Sequence, residues 1–167
     1  MALYHFSVRH VSRGKGQMVV ASAAYISGQR IYDGYYNKIH DYTSKSGVVF
    51  TEILTPEYVP ERMTDRETLW NEVEHVERNN KAQLAYSFDI ALQSELTLEE
   101  NIRLAKEFCQ EQFVVRGMIV DLAVHEGKSD NEEEPDNPHF HVLAPIRPFT
   151  EEGIWGSEQG REYILDE

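Results

Sequence analysis

Three histidines carry the first chemical signal in this chain. The segment Asn137-Pro138-His139-Phe140-His141-Val142-Leu143 places two of them one residue apart. On a helix, positions i and i+2 point about 200° apart, whereas on a strand they leave the same face. The segment reads as a strand, with Phe140 and Val142 toward a core and His139 and His141 toward a site. His125 closes the apolar run Met118-Ile119-Val120-Asp121-Leu122-Ala123-Val124, which also reads as a strand. Three imidazoles converging on one sheet face make a facial donor set for a divalent metal, leaving positions open for substrate and water. The chemistry would be metal-assisted attack on a polarised oxygen. Imidazole suits zinc, manganese, iron, nickel and copper alike, so the donors alone do not select the ion. A single strand histidine is more often structural; the His-x-His pair beside a third histidine is what shifts the balance toward a metal.

The composition bounds what surrounds such a site. A chain of 167 residues suits one domain with a real core, and its 41% hydrophobic content is ordinary for a globular protein. The N-terminus, broken by His5, Arg9 and His10, is not a secretory signal, and no run is long enough for a transmembrane helix. Cys109 has no cysteine to pair with and reads as a small buried hydrophobe. These features lead to the expectation of an intracellular protein without membrane insertion. A net charge of −13 argues at first against a nucleic-acid partner, but the charge is unevenly spread. Residues 1–50 hold six Lys/Arg and two Asp, a balance of +4, so the rest of the chain must carry −17. The same segment holds Tyr4, Tyr25, Tyr32, Tyr35, Tyr36 and Tyr42. Cations interleaved with aromatic rings suit single-stranded nucleic acid, where phosphates meet charge and bases stack. Candidate contacts are Arg9, Arg13, Lys15, Gln17, Arg30 and Tyr32.

The elements that must position these residues follow from periodicity. Residues 3–9 alternate as a first strand, and Ser12-Arg13-Gly14-Lys15-Gly16-Gln17 is a loop whose glycines and cations could admit a phosphate. Met18 to Ile26 reads as a helix ended by Gly28. Residues 29–46 are polar, aromatic and irregular, and read as a mobile segment over a site. Val48–Leu54 is a strand. Asp65 caps a helix expected over 66–80, and residues 85–92 form a strand. Thr97, with Glu99 and Glu100, caps a helix with an apolar stripe. Residues 117–125 and 138–144 are the two histidine strands, joined by an acidic loop that reads as a solvated connection. Helices alternate with strands until a final pair joined only by a loop, which is therefore antiparallel. The expected fold is α+β: a mixed, largely antiparallel sheet flanked by helices, in one domain over 1–167 that reads as the N-terminal part of a longer protein.

Four blocks then acquire a joint meaning. They are Tyr4-His5-Phe6-Ser7-Val8; the run Ser12–Gln17 leading into Ala21-Ser22-Ala23-Ala24-Tyr25-Ile26-Ser27-Gly28; Ala82–Ala85 leading into Phe88-Asp89-Ile90-Ala91-Leu92; and His125 with Asn137-Pro138-His139-Phe140-His141. In this order they resemble the relaxase domain of the MobA/MobL family, plasmid-mobilisation enzymes of the HUH endonuclease superfamily, over nearly all of residues 1–150. The resemblance implies a tyrosine that attacks one phosphodiester at the nick site of a transfer origin, forming a 5′-phosphotyrosine link and freeing a 3′-hydroxyl. It implies Tyr25 as nucleophile and His125, His139 and His141 as ligands of a divalent metal, Mn2+ or Mg2+, with Zn2+ or Ni2+ able to substitute in vitro. It also implies single-stranded DNA at an origin of transfer, relaxosome accessory proteins and a coupling protein as partners, and a cytoplasmic, plasmid-encoded bacterial setting.

The chemistry agrees with that likeness. A phenol with a pKa near about 10 is a poor nucleophile at neutral pH and needs a base or a nearby cation. Asp89 sits on a strand, where it would orient a metal-bound imidazole, accept the tyrosine proton, or simply face water. Tyr32, Tyr35 and Tyr36 are base-stacking candidates and rival nucleophiles. Among other classes, a rolling-circle replication initiator usually carries its tyrosine after the histidine pair, where only Tyr163 stands here. A zinc hydrolase of small substrates would not need the basic, aromatic N-terminus, and a non-enzymatic adaptor would tolerate Tyr25→Phe.

Overall fold

The structure, a computed structural model, describes residues 5–157, so Tyr4 and Tyr163 lie outside the described residues. Its elements are β1 (Phe6–Ser12), α1 (Val19–Ser27), β2 (Arg30–Asp33), β3 (Lys38–Asp41), β4 (Val48–Leu54), α2 (Arg66–Val76), β5 (Gln83–Ala91), α3 (Leu98–Gln112), β6 (Val120–His125) and β7 (His139–Pro145). Five strands form one sheet in the order β1-β5-β7-β6-β4, and every pairing in it is antiparallel. The α+β expectation holds. No helix among the described residues is long and apolar enough to cross a membrane.

Strand alternation divides the sheet between two cores. On one face Val11, Ala85, Leu143, Ala123 and Ile53 pack with Val19, Val20, Ala23 and Ala24 of α1 and with Leu69, Trp70 and Val73 of α2. On the other, Phe88, Val142, Phe140, Val124 and Leu122 pack against Ala105 and Cys109 of α3. Cys109 is buried as expected, and burial pushes its thiol up to about 12, which makes it inert. The histidines at 125, 139 and 141 share the first face, so they stand where the α1–α2 core gives way to solvent at one end of the strands.

The helix starts are set locally. Asp65 accepts from Thr68 N at 3.1 Å, and Thr97 forms a full capping box with Glu100, at 3.2 and 2.9 Å. Thr97→Ala should remove about 1 kcal/mol of stability. In a thermal melt the midpoint should fall by about 2–4 °C with the site unaffected; no change would mean that α3 is held by packing alone.

Two expectations are corrected. Residues 29–46 are not an irregular mobile segment: they contain the β2–β3 hairpin, paired from Arg30↔Asp41 to Asp33↔Lys38. Its strands are only four residues long, and their buried positions include Asp33 and His40, which pair at 3.0 Å, so apolar alternation could not reveal them. The hairpin is docked on α2 by Gly34 N to Asn71 Oδ1 (2.7 Å) and Tyr32 N to Glu67 Oε1 (2.8 Å). Second, α2 ends at Val76 rather than at residue 80. The carbonyls of Glu77 and Asn79 turn to accept from Arg13 Nη1, at 2.6 and 2.9 Å. A distant guanidinium thus helps to end the helix, together with the local turn in which Asn79 Oδ1 accepts from Lys81 N at 2.8 Å.

Candidate active site

Register builds the histidine cluster. His125 and His139 are direct partners across β6 and β7, and His141 lies two residues along on the same face, opposite Ala123. The three ring centroids stand 4.5, 5.0 and 5.1 Å apart, and one nitrogen from each ring falls within 4.8 Å of the others. The connecting loop is closed at Gly127, whose positive φ of 56° and close passage under Asn137 exclude a side chain: a Cβ there would sit 1.9 Å from Asn137 O.

Each ring is held through one of its nitrogens. His125 Nε2 donates to Ile26 O at 2.8 Å, His139 Nδ1 to Asn137 O at 2.8 Å, and His141 Nδ1 to Asp89 Oδ1. These bonds leave Nδ1 of His125 and Nε2 of His139 and His141 as lone-pair donors. Burial pulls the His125 imidazole down to about 4, opposed by its bond to Ile26 O, and burial likewise lowers His139. Imidazoles each fixed by an acceptor behind it, two of them shifted toward the neutral form by burial, fit a divalent metal. Asp89 faces His141 across β5 and β7 and also takes Arg9 Nη2 at 3.0 Å. The bond from His141 holds its carboxyl below the usual carboxylate range, against desolvation. Asp89→Ala should weaken metal affinity by about 10–100-fold in isothermal titration, by releasing the His141 ring; an unchanged affinity would remove Asp89 from any role at the centre.

Beside the cluster runs a cleft of about 460 Å³. One wall is the stripe formed by Met18, the N-cap of α1, with Ala21, Ser22 and Tyr25 of the helix, spaced i, i+3, i+4 and i+7. The other includes Arg9, Ser87, Asp89 and His141. Small residues at 21 and 22 keep it open. Tyr25 is 51% exposed, so its ring is accessible from the cleft. Gly28, left-handed at φ 66°, ends α1 one turn later, and Ile26 O is the acceptor for His125. The last turn of the tyrosine helix is therefore tied directly to the histidine cluster.

The other expected residues separate into groups. Arg9 and Gln17 line the cleft, and Lys15 is exposed on the adjoining turn. Arg30 and Tyr32 are exposed on the hairpin, outside the cleft lining. Arg13, expected among the DNA contacts, is instead inside the protein. Its guanidinium is bound by Glu74 Oε1 at 2.7 Å and by three backbone carbonyls, and it lies over the Tyr35 ring. Tyr35 also packs on His75 of α2, away from the cleft. Two residues at the site had no distinguishing signal in the sequence. Tyr42 lines the cleft edge-on to Tyr25, and Lys45 lies over the Tyr25 ring. Both leave the hairpin, which the sequence did not disclose as an ordered element.

An antiparallel sheet presenting three anchored imidazoles beside a helix-borne, accessible tyrosine defines a metal-fitted site with an adjoining nucleophile candidate. Residues 17–167 match the model of the MobA/MobL family, and the chain belongs to that family. It is 37% identical over 164 residues to conjugal transfer protein TraA of Agrobacterium fabrum, an alignment covering 92% of this chain and 14% of TraA. It is 32% identical over 157 residues to mobilization protein MobL of Acidithiobacillus ferridurans, covering 93% of this chain and 41% of MobL. The chain thus spans less than half the length of these relatives. A solved structure described as "Molecular Basis of Vancomycin Resistance Transfer in Staphylococcus aureus" superposes with a TM-score of 0.85 at 37% identity, covering 99% of this chain and 81% of that one.

Proposed function

We propose that this domain is a DNA relaxase that nicks one strand at an origin of transfer through a covalent tyrosine intermediate. The observation that carries the reading is that Tyr25 and His141, one member of the histidine cluster, line the same cleft of a MobA/MobL chain. Tyr25 Oη attacks the scissile phosphorus; the bond from phosphorus to the 3′ oxygen breaks. The phenol loses its proton and the departing 3′ oxygen gains one, so a 5′-phosphotyrosine and a 3′-hydroxyl result. His125, His139 and His141 would hold a divalent ion, whose charge would offset the negative charge that builds on the scissile phosphate. Asp89, committed to His141 and Arg9, serves better as the orienting carboxylate for His141 than as a base. Arg9, Lys15 and Gln17 bring cationic and amide groups to the strand along the cleft. The phosphotyrosine ester conserves the energy of the broken bond, so the strand can be rejoined. The names of the relatives, a conjugal transfer protein and a mobilization protein, support a role for such a nick in plasmid mobilisation, for which accessory proteins and a coupling protein would be the partners.

The test uses end-labelled single-stranded oligonucleotides spanning candidate transfer origins, incubated with Mn2+, Mg2+ or EDTA. Cleavage at one position, with the 5′ end retained on protein in denaturing gels and lost in EDTA, is the expected result. Cleavage without a protein-bound end, or none on either strand of any origin while metal binds, would overturn the reading.

A further inference from the structure

The segment leaving the hairpin is pinned at both ends. Tyr42 N bonds Gln29 O at 3.1 Å, and Asp41 Oδ1 takes both Thr43 N and Thr43 Oγ1, at 2.9 and 2.7 Å. At the far end Gly47 O accepts Glu126 N, next to His125, at 3.0 Å. Between these anchors Lys45 N closes a turn onto Tyr42 O at 3.0 Å. The turn carries the Lys45 side chain across α1. Its ammonium donates to Tyr25 O at 3.0 Å and stands 3.5 Å from the centroid of the Tyr25 ring. Tyr42 meets the same ring edge-on, with centroids 5.3 Å apart and planes at 89°. Among the described residues Lys45 has no carboxylate partner; the carbonyl at the C-terminal end of α1 and the π face are what it touches.

We propose that Lys45 is a positioning residue for Tyr25, its ammonium seated on the ring face and the T-shaped contact with Tyr42 adding a second hold on the same ring, so that the phenol is held in the cleft. The inference rests on Tyr25 being the nucleophile. A half-exposed tyrosine near a helix end would otherwise swing freely, and loss of orientation at an attacking atom lowers the rate of the chemical step more than it lowers affinity. A cation on the ring face also favours negative charge developing on the phenol oxygen as it attacks. A neutral side chain able to bond Tyr25 O would keep the helix cap and lose both effects.

The experiment compares Lys45→Gln and Lys45→Arg with wild type. Three quantities are measured: single-turnover adduct formation on a cleavable oligonucleotide, oligonucleotide affinity, and the 13C NMR signals of ring-labelled tyrosine, with Tyr25 assigned by its absence in Tyr25→Phe. Lys45→Gln should slow the adduct step by about tenfold or more with affinity unchanged, and Lys45→Arg should restore most of the rate. The Tyr25 signal should move in the Gln variant and stay near its wild-type position in the Arg variant. A wild-type rate in Lys45→Gln would overturn the proposal. So would weakened affinity at an unchanged rate, which makes Lys45 a phosphate contact, or an Arg variant as slow as Gln. If wild type forms no adduct at all, the nucleophile reading fails, and an unmoved Tyr25 signal in Lys45→Gln would separately dispose of the clamp.

Discussion

Tyr25→Phe should abolish the covalent protein–DNA adduct and reduce strand cleavage by more than about 10³-fold, while metal affinity and thermal stability stay near wild type. The substitution deletes the one atom that bonds to phosphorus. It removes little else, because the ring is half exposed and no described residue hydrogen-bonds its hydroxyl, and its contacts with Tyr42 and Lys45 use the ring and the backbone carbonyl. The stability change should fall within about 0.5 kcal/mol, as for a surface position. Denaturing gels for the adduct, a thermal melt and a metal titration on one preparation check all three parts. If the adduct persists, the geometry names its successor: Tyr42 is the other tyrosine lining the cleft among the described residues, whereas Tyr35 is held on Arg13 and His75. An adduct surviving both Tyr25→Phe and Tyr42→Phe would remove the nucleophile from this cleft altogether.

The second large effect is on stability. Arg13→Ala should destabilise the domain by about 3–5 kcal/mol, because it leaves the Glu74 carboxylate buried without its counter-charge. For a chain of this size that lowers the melting midpoint by about 10 °C. It also frees the carbonyls of Glu74, Glu77 and Asn79 that now accept from the guanidinium. Lysine should not rescue, since one ammonium cannot reproduce a planar fork reaching four acceptors. The pH dependence has a definite sign. Burial raises the Glu74 carboxyl above its ordinary range, with the Arg13 hydrogen bond opposing this, so removing Arg13 raises it further. A folded-state value above the unfolded one leaves stability intact below the unfolded value, near about 4.3, and erodes it as pH rises through the folded one. The deficit of Arg13→Ala relative to wild type should therefore shrink in acid and be largest at neutral pH. Urea melts of Arg13→Ala, Glu74→Leu and the double variant check the pairing: the double variant should recover much of what either single change loses. Additive losses would show that the two side chains act separately. A fully stable Arg13→Ala with weakened oligonucleotide binding would instead return Arg13 to the surface as a phosphate contact.

The fate of Arg13 shows where sequence reasoning reached its limit. Arg9, Arg13 and Lys15 are the same kind of signal in the chain, cations spaced four and two residues apart in and beside a glycine-containing loop. Only the packing of the loop against α2, with Glu74 buried beneath it, decides that one of the three belongs to the interior. Nothing local marks Glu74 as a core residue, because a charge is buried only when a distant partner meets it. The same holds for Lys45. Its position depends on a hairpin whose short strands bury Asp33 and His40 instead of an apolar row, and on a bond from Gly47 to the residue after His125.

What the chain by itself determined is what short-range physics encodes. The His-x-His period puts 139 and 141 on one face wherever β7 lies; Thr97 and Glu100 start α3; Gly28 stops α1 just past Tyr25; and the apolar periods order helices and strands into an α+β sheet. What the tertiary structure decided is every relation across long loops. It set the partnering of His125 with His139 through Gly127, the placement of Asp89 behind His141, the tie from Ile26 to His125, and the choice of which cations face the cleft and which are buried. Periodicity has a range of a few residues, whereas those relations depend on which faces of distant elements can be buried together.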